Sequence, residues 1–169
     1  MKMPKQLKIT NPDAPLFGYA NGNQEAIPVP IHMTSFVLDS ESKGALLDAC
    51  HEINIDLNVN VHAHHLTINY KPSNYHIFKF TNCMVTHIVD GGPVQAARVD
   101  PNSIYSANTH PHVTLSCGEN MPPKLSNDML GNTGDWPYGA NEYPYNIALT
   151  GNVVTTYDVR HFVDTFAVS

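Results

Sequence analysis

The sequence predicts an α+β domain built mainly from antiparallel sheet with few helices, and three observations carry that reading. Many short runs are rich in β-branched and aromatic residues and are separated by Gly, Pro and Asn turns. Only one segment has a convincing helix start followed by an apolar stripe. A strand-like tetrad occurs twice, as His65-Leu66-Thr67-Ile68 and His112-Val113-Thr114-Leu115, which suggests two sheet lobes related by a pseudo-twofold about a central cleft.

Taken in order, residues 1–30 carry Asn11-Pro12-Asp13, Gly18, Gly22, Pro28 and Pro30, a density of breakers that predicts an irregular N-terminal arm. Residues 31–169 are expected to form a single domain. Thr34 to Leu38 reads as a strand, and Asp39-Ser40-Glu41-Ser42 supplies cap residues for a helix to about Ile53, with Leu46, Leu47 and Cys50 as its buried stripe. Leu57 to Tyr70 alternates apolar with polar residues and reads as one strand, stopped by Lys71-Pro72-Ser73-Asn74. Further strands are expected at Tyr75 to Phe80, Cys83 to Val89 and Val94 to Val99, the last two joined by a hairpin at Gly91-Gly92. After a loop, His112 to Cys117 gives the second motif strand and Ser126 to Leu130 a short helical turn. Gly131 to Pro144 reads as loop, and Asn146 to Leu149, Val153 to Val159 and Phe162 to Phe166 as closing strands.

Composition narrows the partners. The chain has 169 residues, 42% of them apolar, enough for one domain with its own core. Only 14% are charged and the formal net charge is -6, so no basic field exists to hold long duplex nucleic acid by counterion release. A small nucleotide or short oligonucleotide is the better match. Cys50, Cys83 and Cys117 are odd in number and widely spaced, which reads as reduced thiols in a cytoplasmic protein. The N-terminus lacks the apolar stretch of a signal peptide, and no apolar run approaches the roughly 18 residues of a membrane span.

Side chains alternate across a strand, so His65, Thr67 and Asn69 share one face while Leu66, Ile68 and Tyr70 share the other. His112, Thr114 and Ser116 repeat the pattern against Val113, Leu115 and Cys117. Each strand then buries an apolar face and offers imidazole and hydroxyl groups on the opposite one. Breaking a phosphodiester requires one proton removed and another delivered, and imidazole, with an ordinary pKa of about 6.5, does either near neutrality. His65 and His112 are the candidate acid/base pair. Thr67 and Thr114 are candidate donors to the non-bridging phosphate oxygens. Neither a metal nor a cofactor is required by this scheme.

Other residues compete for attention. His32-Met33-Thr34 is a partial third match with polar Ser35 in the apolar slot, and a structural or rim role is favoured for it. His62 and His64 share a strand face and invite a metal reading, but His65 points away and the cluster holds no acidic residue, so zinc is poorly specified. His64 is expected to support the site or to pack. Among the loop aromatics, Trp136 and Tyr138 are candidates to stack a base, with Tyr143 and Tyr19 behind them. Ser116 and Asn69 extend the two polar faces. Lys124 is the preferred cation near a motif strand, over Lys71, Lys79 and Arg98.

Both tetrads match the H-x-[ST]-apolar motif of the 2H phosphoesterases, and the sequence resembles that family. The order of opening strand from Thr34, helix, then His65-Leu66-Thr67-Ile68 is similar to the family's first half and selects His65 over His32. Thr109 to Cys117 followed by Lys124 to Leu130 is similar to the second motif region in the cyclic phosphodiesterase domains of fungal and plant tRNA ligases, and small phage 2H proteins are similar in size and motif content. The resemblance implies a bilobal fold with acid/base catalysis by His65 and His112, and Thr67 and Thr114 on the phosphate. It implies substrates such as 2',3'-cyclic ends, 2',5'-linked oligoadenylates or cyclic dinucleotide signals. The 47 positions between His65 and His112 are short for the family. Three readings follow: hydrolysis of a cyclic phosphodiester of the 2',3' type, degradation of 3',5'-linked cyclic signals or 2',5'-oligoadenylate, and a non-catalytic nucleotide-binding sponge.

Overall fold

The computed structural model describes residues 6–9, 16–20, 25, 27–70, 80–158 and 162–168. In chain order the elements are β1 (Gln6–Ile9), β2 (Leu16–Ala20), β3 (Ile27–Pro28), β4 (Ile31–Leu38), α1 (Ser40–Glu52), β5 (Asn60–Val61), β6 (His65–Tyr70), β7 (Phe80–Asp90), β8 (Val94–Val99), β9 (His112–Cys117), α2 (Leu125–Gly131), β10 (Asn141–Asp158) and β11 (Phe162–Val168). A 3-10 turn spans Thr133–Asp135. The fold is α+β with two helices among the described residues, as expected. Eight strands form the larger sheet in the order β1-β10-β4-β6-β9-β8-β7, with β5 on β9, and β11-β2-β3 form a smaller one. No described helix is long and apolar enough to cross a membrane.

Local signals explain several elements. Asp39 caps α1 by accepting the Ser42 N–H at 2.8 Å, and the helix ends at Ile53, whose N–H donates to the Ala49 carbonyl. Leu46, Ala49 and Cys50 of that helix are buried while Leu47 lies at the margin of the core. The β7–β8 hairpin turns at Gly91-Gly92, where Gly92 takes φ +75°, a conformation that suits a residue without Cβ. The main core joins α1 to the inner faces of β4, β6, β7, β8, β9 and β10 through Phe36, Leu66, Val85, Val113, Leu115 and Leu149. Cys50, Cys83 and Cys117 are free and buried. Burial pushes the Cys50 thiol up to about 11 and Cys83 up to about 12, so neither supplies a thiolate near neutrality.

The structure departs from the expected elements in three places. The 1–30 segment contributes β1 to the larger sheet and β2 and β3 to the smaller one, rather than remaining irregular throughout. Its strands pair with β10 and β11 from the far end of the sequence, and such long-range pairing leaves no local periodicity to read. Two short closing strands and the end of the preceding loop instead form the single 18-residue β10. Its first part pairs with β7 and its later part with β4, overlapping at Gly151 and Asn152, so the larger sheet closes on itself. Gly151, which falls between the two expected strands, is what allows the overlap: a Cβ there would lie 2.0 Å from the Val37 carbonyl oxygen. Finally, the expected strand over 57–70 is interrupted between β5 and β6, with Ala63 at φ 45°. The expected strand at 75–80 lies outside the described residues except for Phe80, which opens β7.

Gly151→Ala is therefore expected to force β10 away from β4 and to lower stability by about 1–3 kcal/mol. Thermal unfolding of the purified variant measures this, and an unchanged midpoint would contradict the close approach.

Candidate active site

The two motif strands are hydrogen-bonded neighbours in one sheet, antiparallel and paired at Leu66 and Val113. Leu66, Ile68, Val113 and Leu115 point inward and belong to the main core. The outward positions His65, Thr67, His112 and Thr114 then fall on one wall, and all four line a single cleft of about 640 Å³, within the usual range for small-molecule sites. The expected pair of strands facing each other from separate lobes thus takes the form of two adjacent strands.

The register of the first strand against β9 explains how His65 enters the cleft. Val61 pairs with Ser116, and the Ala63 N–H donates to the Thr114 carbonyl at 2.9 Å. Three residues further on, Leu66 pairs with Val113, a single step along β9. The first strand therefore carries two extra residues here, His64 and His65. Such a bulge re-aims side chains and breaks simple alternation. As a result His62, His64 and His65 all line the cleft, although alternation assigned His64 and His65 to opposite faces.

His112 is only 8% exposed. Its Nδ1 lies 2.7 Å from the His110 carbonyl oxygen. A carbonyl only accepts, so Nδ1 carries the proton, which leaves Nε2 with its lone pair in the neutral ring. Burial holds the His112 pKa below the usual 6.5; the hydrogen bond to His110 opposes this, while the nearby charges of His110 and Arg98 reinforce it. Arg98 is held by Glu142 and by the Leu130 carbonyl, which its guanidinium reaches at 2.9 Å.

His65 Nδ1 lies 3.1 Å from His64 Nδ1, with the two rings edge to face at 77°. A hydrogen bond between two such nitrogens needs a proton on only one of them, so the tautomers of the two imidazoles are linked. The Thr114 hydroxyl is 3.0 Å from the Ser126 hydroxyl on α2. The Thr67 hydroxyl donates to the Met33 sulfur at 3.6 Å, a weak acceptor that a phosphate oxygen readily replaces. Lys124 lines the cleft as a cation beside these groups. Among the described residues, no three His, Cys, Asp or Glu side chains converge in a metal-binding group.

The other sequence candidates lie elsewhere. Ser116 was expected beside Thr114 but is fully buried, donating to Gln95 Oε1 and accepting from the Asn58 N–H at 3.0 Å. The β8–β9 register slips between Gln95 and Ala96, so β9 carries an extra residue between Ser116 and Thr114. Asn69 sits opposite Thr34 in β4, beside another register shift, and does not line the cleft. Trp136 is tied down by its indole N–H, which donates to the Gly91 carbonyl at 2.8 Å, and it packs on the Val89, Val94 and Met129 cluster. Tyr138 stacks obliquely on Trp136, with ring centroids 5.7 Å apart. Neither aromatic borders the cleft. Asn108, Asn127 and Ser126, which the sequence reading passed over, come to the site or its supporting hydroxyl from a loop and from α2; polar residues in such segments carry no periodicity to single them out.

Comparison with known proteins yields a likeness of fold. No protein-family model matches the chain, and no curated protein matches it. It is similar to a solved structure described as the crystal structure of fungal RNA kinase, at 10% sequence identity and a TM-score of 0.54. The likeness covers 81% of this chain and 47% of that one, so the chain spans about half the length of the protein it resembles.

Proposed function

We propose that the cleft is the active site of a metal-independent phosphodiesterase of the 2H kind, hydrolysing a cyclic phosphodiester of the 2',3' type in a nucleotide or at an RNA end. The observation that carries this reading is the convergence of His65, Thr67, His112 and Thr114 on one wall of one cleft. A pure binding site has no need of two imidazoles matched with two hydroxyls. The fold likeness to a protein described as a fungal RNA kinase agrees with a ligand derived from RNA.

In this mechanism His112 is the base. Its Nε2 takes a proton from water as the water oxygen attacks phosphorus, and burial keeps the ring neutral for that purpose. His65 delivers a proton to the ribose oxygen as its bond to phosphorus breaks. Thr67 and Thr114 donate to the non-bridging oxygens, and Lys124 adds positive charge at the rim. The proton gained by His112 and that lost by His65 balance over the step, and exchange with solvent restores the starting pair.

A second reading is favoured by size. The cleft continues past His64 and His65 into an adjoining cavity, which suits 2',5'-oligoadenylate or a 3',5'-linked cyclic signal better than a lone nucleotide.

A panel of nucleoside 2',3'-cyclic phosphates, 2',5'-oligoadenylate and 3',5'-cyclic dinucleotides, assayed with a chelator present, tests the reading. One class is expected to turn over, and His65→Ala or His112→Ala should each cost about 10²–10⁴-fold. Activity lost to the chelator and restored by zinc would overturn the metal-independent mechanism. The pH dependence is a separate check. Since the base works only when neutral, kcat/KM should fall as pH drops through an inflection below 6.5, where His112 protonates. An acid inflection above that value would contradict His112 as the base.

A further inference from the structure

β10, β4, β6 and β9 are consecutive in the larger sheet. The outward face of these four strands carries functional chemistry only at its β6–β9 end, yet the cleft does not stop there. A second cavity of about 260 Å³ opens over β4 and β10. Met33, His64 and His65 line both cavities, so whatever fills the second lies directly beside a group reacting at His65.

The lining of this second cavity selects for an uncharged occupant. Beyond the two shared imidazoles it is walled by Val37 and Val154, with Ser35 and Thr156 adding hydroxyls. No carboxylate, amine or guanidinium lines it, so an uncharged ring fits against the valines and the thioether without burying a fixed charge. Ser35 is only 3% exposed, and its hydroxyl has no hydrogen-bond partner among the described residues. Buried hydroxyls are ordinarily satisfied, so the Ser35 hydroxyl, like those of Thr34 and Thr155 on the same two strands, has unused hydrogen-bonding capacity, and of the three only Ser35 borders the cavity. The Met33 thioether adds a polarizable surface that favours contact with aromatic rings. A cavity of this volume has space for one flat ring system. From β9 to β10 the wall spans three strand spacings, about 14 Å, long enough for a phosphodiester and its neighbouring nucleoside.

We infer that this cavity is a nucleobase subsite, holding the base of a second nucleoside joined to the reacting phosphate. Val37 and Val154, neighbours on adjacent strands, form an apolar floor under its ring, and Ser35 hydrogen-bonds its edge. The substrate class is then an oligonucleotide of at least two units, linear or cyclic, rather than a mononucleoside cyclic phosphate. The inference rests on the reading of the main cleft as a phosphodiesterase site, but its test reads binding and is independent of turnover.

The experiment measures dissociation constants for three probes: adenosine 3'-monophosphate, adenylyl-(3',5')-adenosine, and the same dinucleotide bearing a 3'-phosphate. The two dinucleotides place the extra base on opposite sides of the phosphate bound at His65. At least one dinucleotide is expected to bind ten-fold or more tightly than the mononucleotide. Val37→Phe, which fills the cavity, should reduce that preference to three-fold or less. Ser35→Ala, which adds no bulk and keeps the strand, should weaken the preferred dinucleotide about three- to ten-fold and so decides the matter if the Phe variant unfolds. Equal affinity for all three probes in the native protein would overturn the subsite, as would a preference untouched by both substitutions. Dinucleotide preference in a protein that hydrolyses nothing on the substrate panel would leave the subsite standing and remove the hydrolase reading.

Discussion

The site depends on one pairing, Leu66 of β6 against Val113 of β9. Both side chains are fully buried in the main core, so neither strand can rotate or slip by one residue without exposing its apolar set. That burial fixes the outward face. Because the strands are antiparallel and each bears the same tetrad, a single pairing places both imidazoles and both threonine hydroxyls on one surface. The sheet's closure through β10, with Gly151 admitting the Val37 carbonyl, extends the same surface across β4 to β10. The histidine-threonine wall and the adjoining cavity are thus consequences of core packing on the opposite side of the sheet.

That wall carries few charges. The chain is acidic overall, and Lys124 is the cation among the residues lining the cleft. Control of protonation falls instead to geometry: the His110 carbonyl fixes the His112 tautomer and burial holds its pKa down. His64 does comparable work on the other side by linking its own tautomer to that of His65. Two histidines in unlike environments, one buried against a carbonyl and one at a partly open bulge, are suited to opposite roles in one proton-transfer step.

What the sequence made legible was local. The cap at Asp39, the Gly91-Gly92 hairpin and the alternation along β6 and β9 all follow from residue chemistry within a few positions, and they bring His65, Thr67, His112 and Thr114 to light. What it hid depends on register. Two extra residues on the strand before Leu66 bring His64 into the cleft, and a slip beside Ala96 accompanies the burial of Ser116 against Gln95. A bulge leaves no mark in a pattern of apolar and polar letters. Trp136 looked like a stacking platform because loop aromatics often are; its tether to the Gly91 carbonyl comes from a part of the chain 45 positions away. The pairing of β1 with β10 is similarly invisible, since it joins the two ends of the chain.

The central claim is that His65 and His112 form one acid/base unit, and a double-mutant cycle on turnover tests it most directly. Rates are measured for the native protein, His65→Ala, His112→Ala and the double variant on the substrate that the native protein cleaves best. If the two act in one step, the double variant is about as slow as the slower single variant, because residues acting as a unit are strongly non-additive. Losses that multiply in the double variant, or a single variant that retains native turnover, would contradict the account.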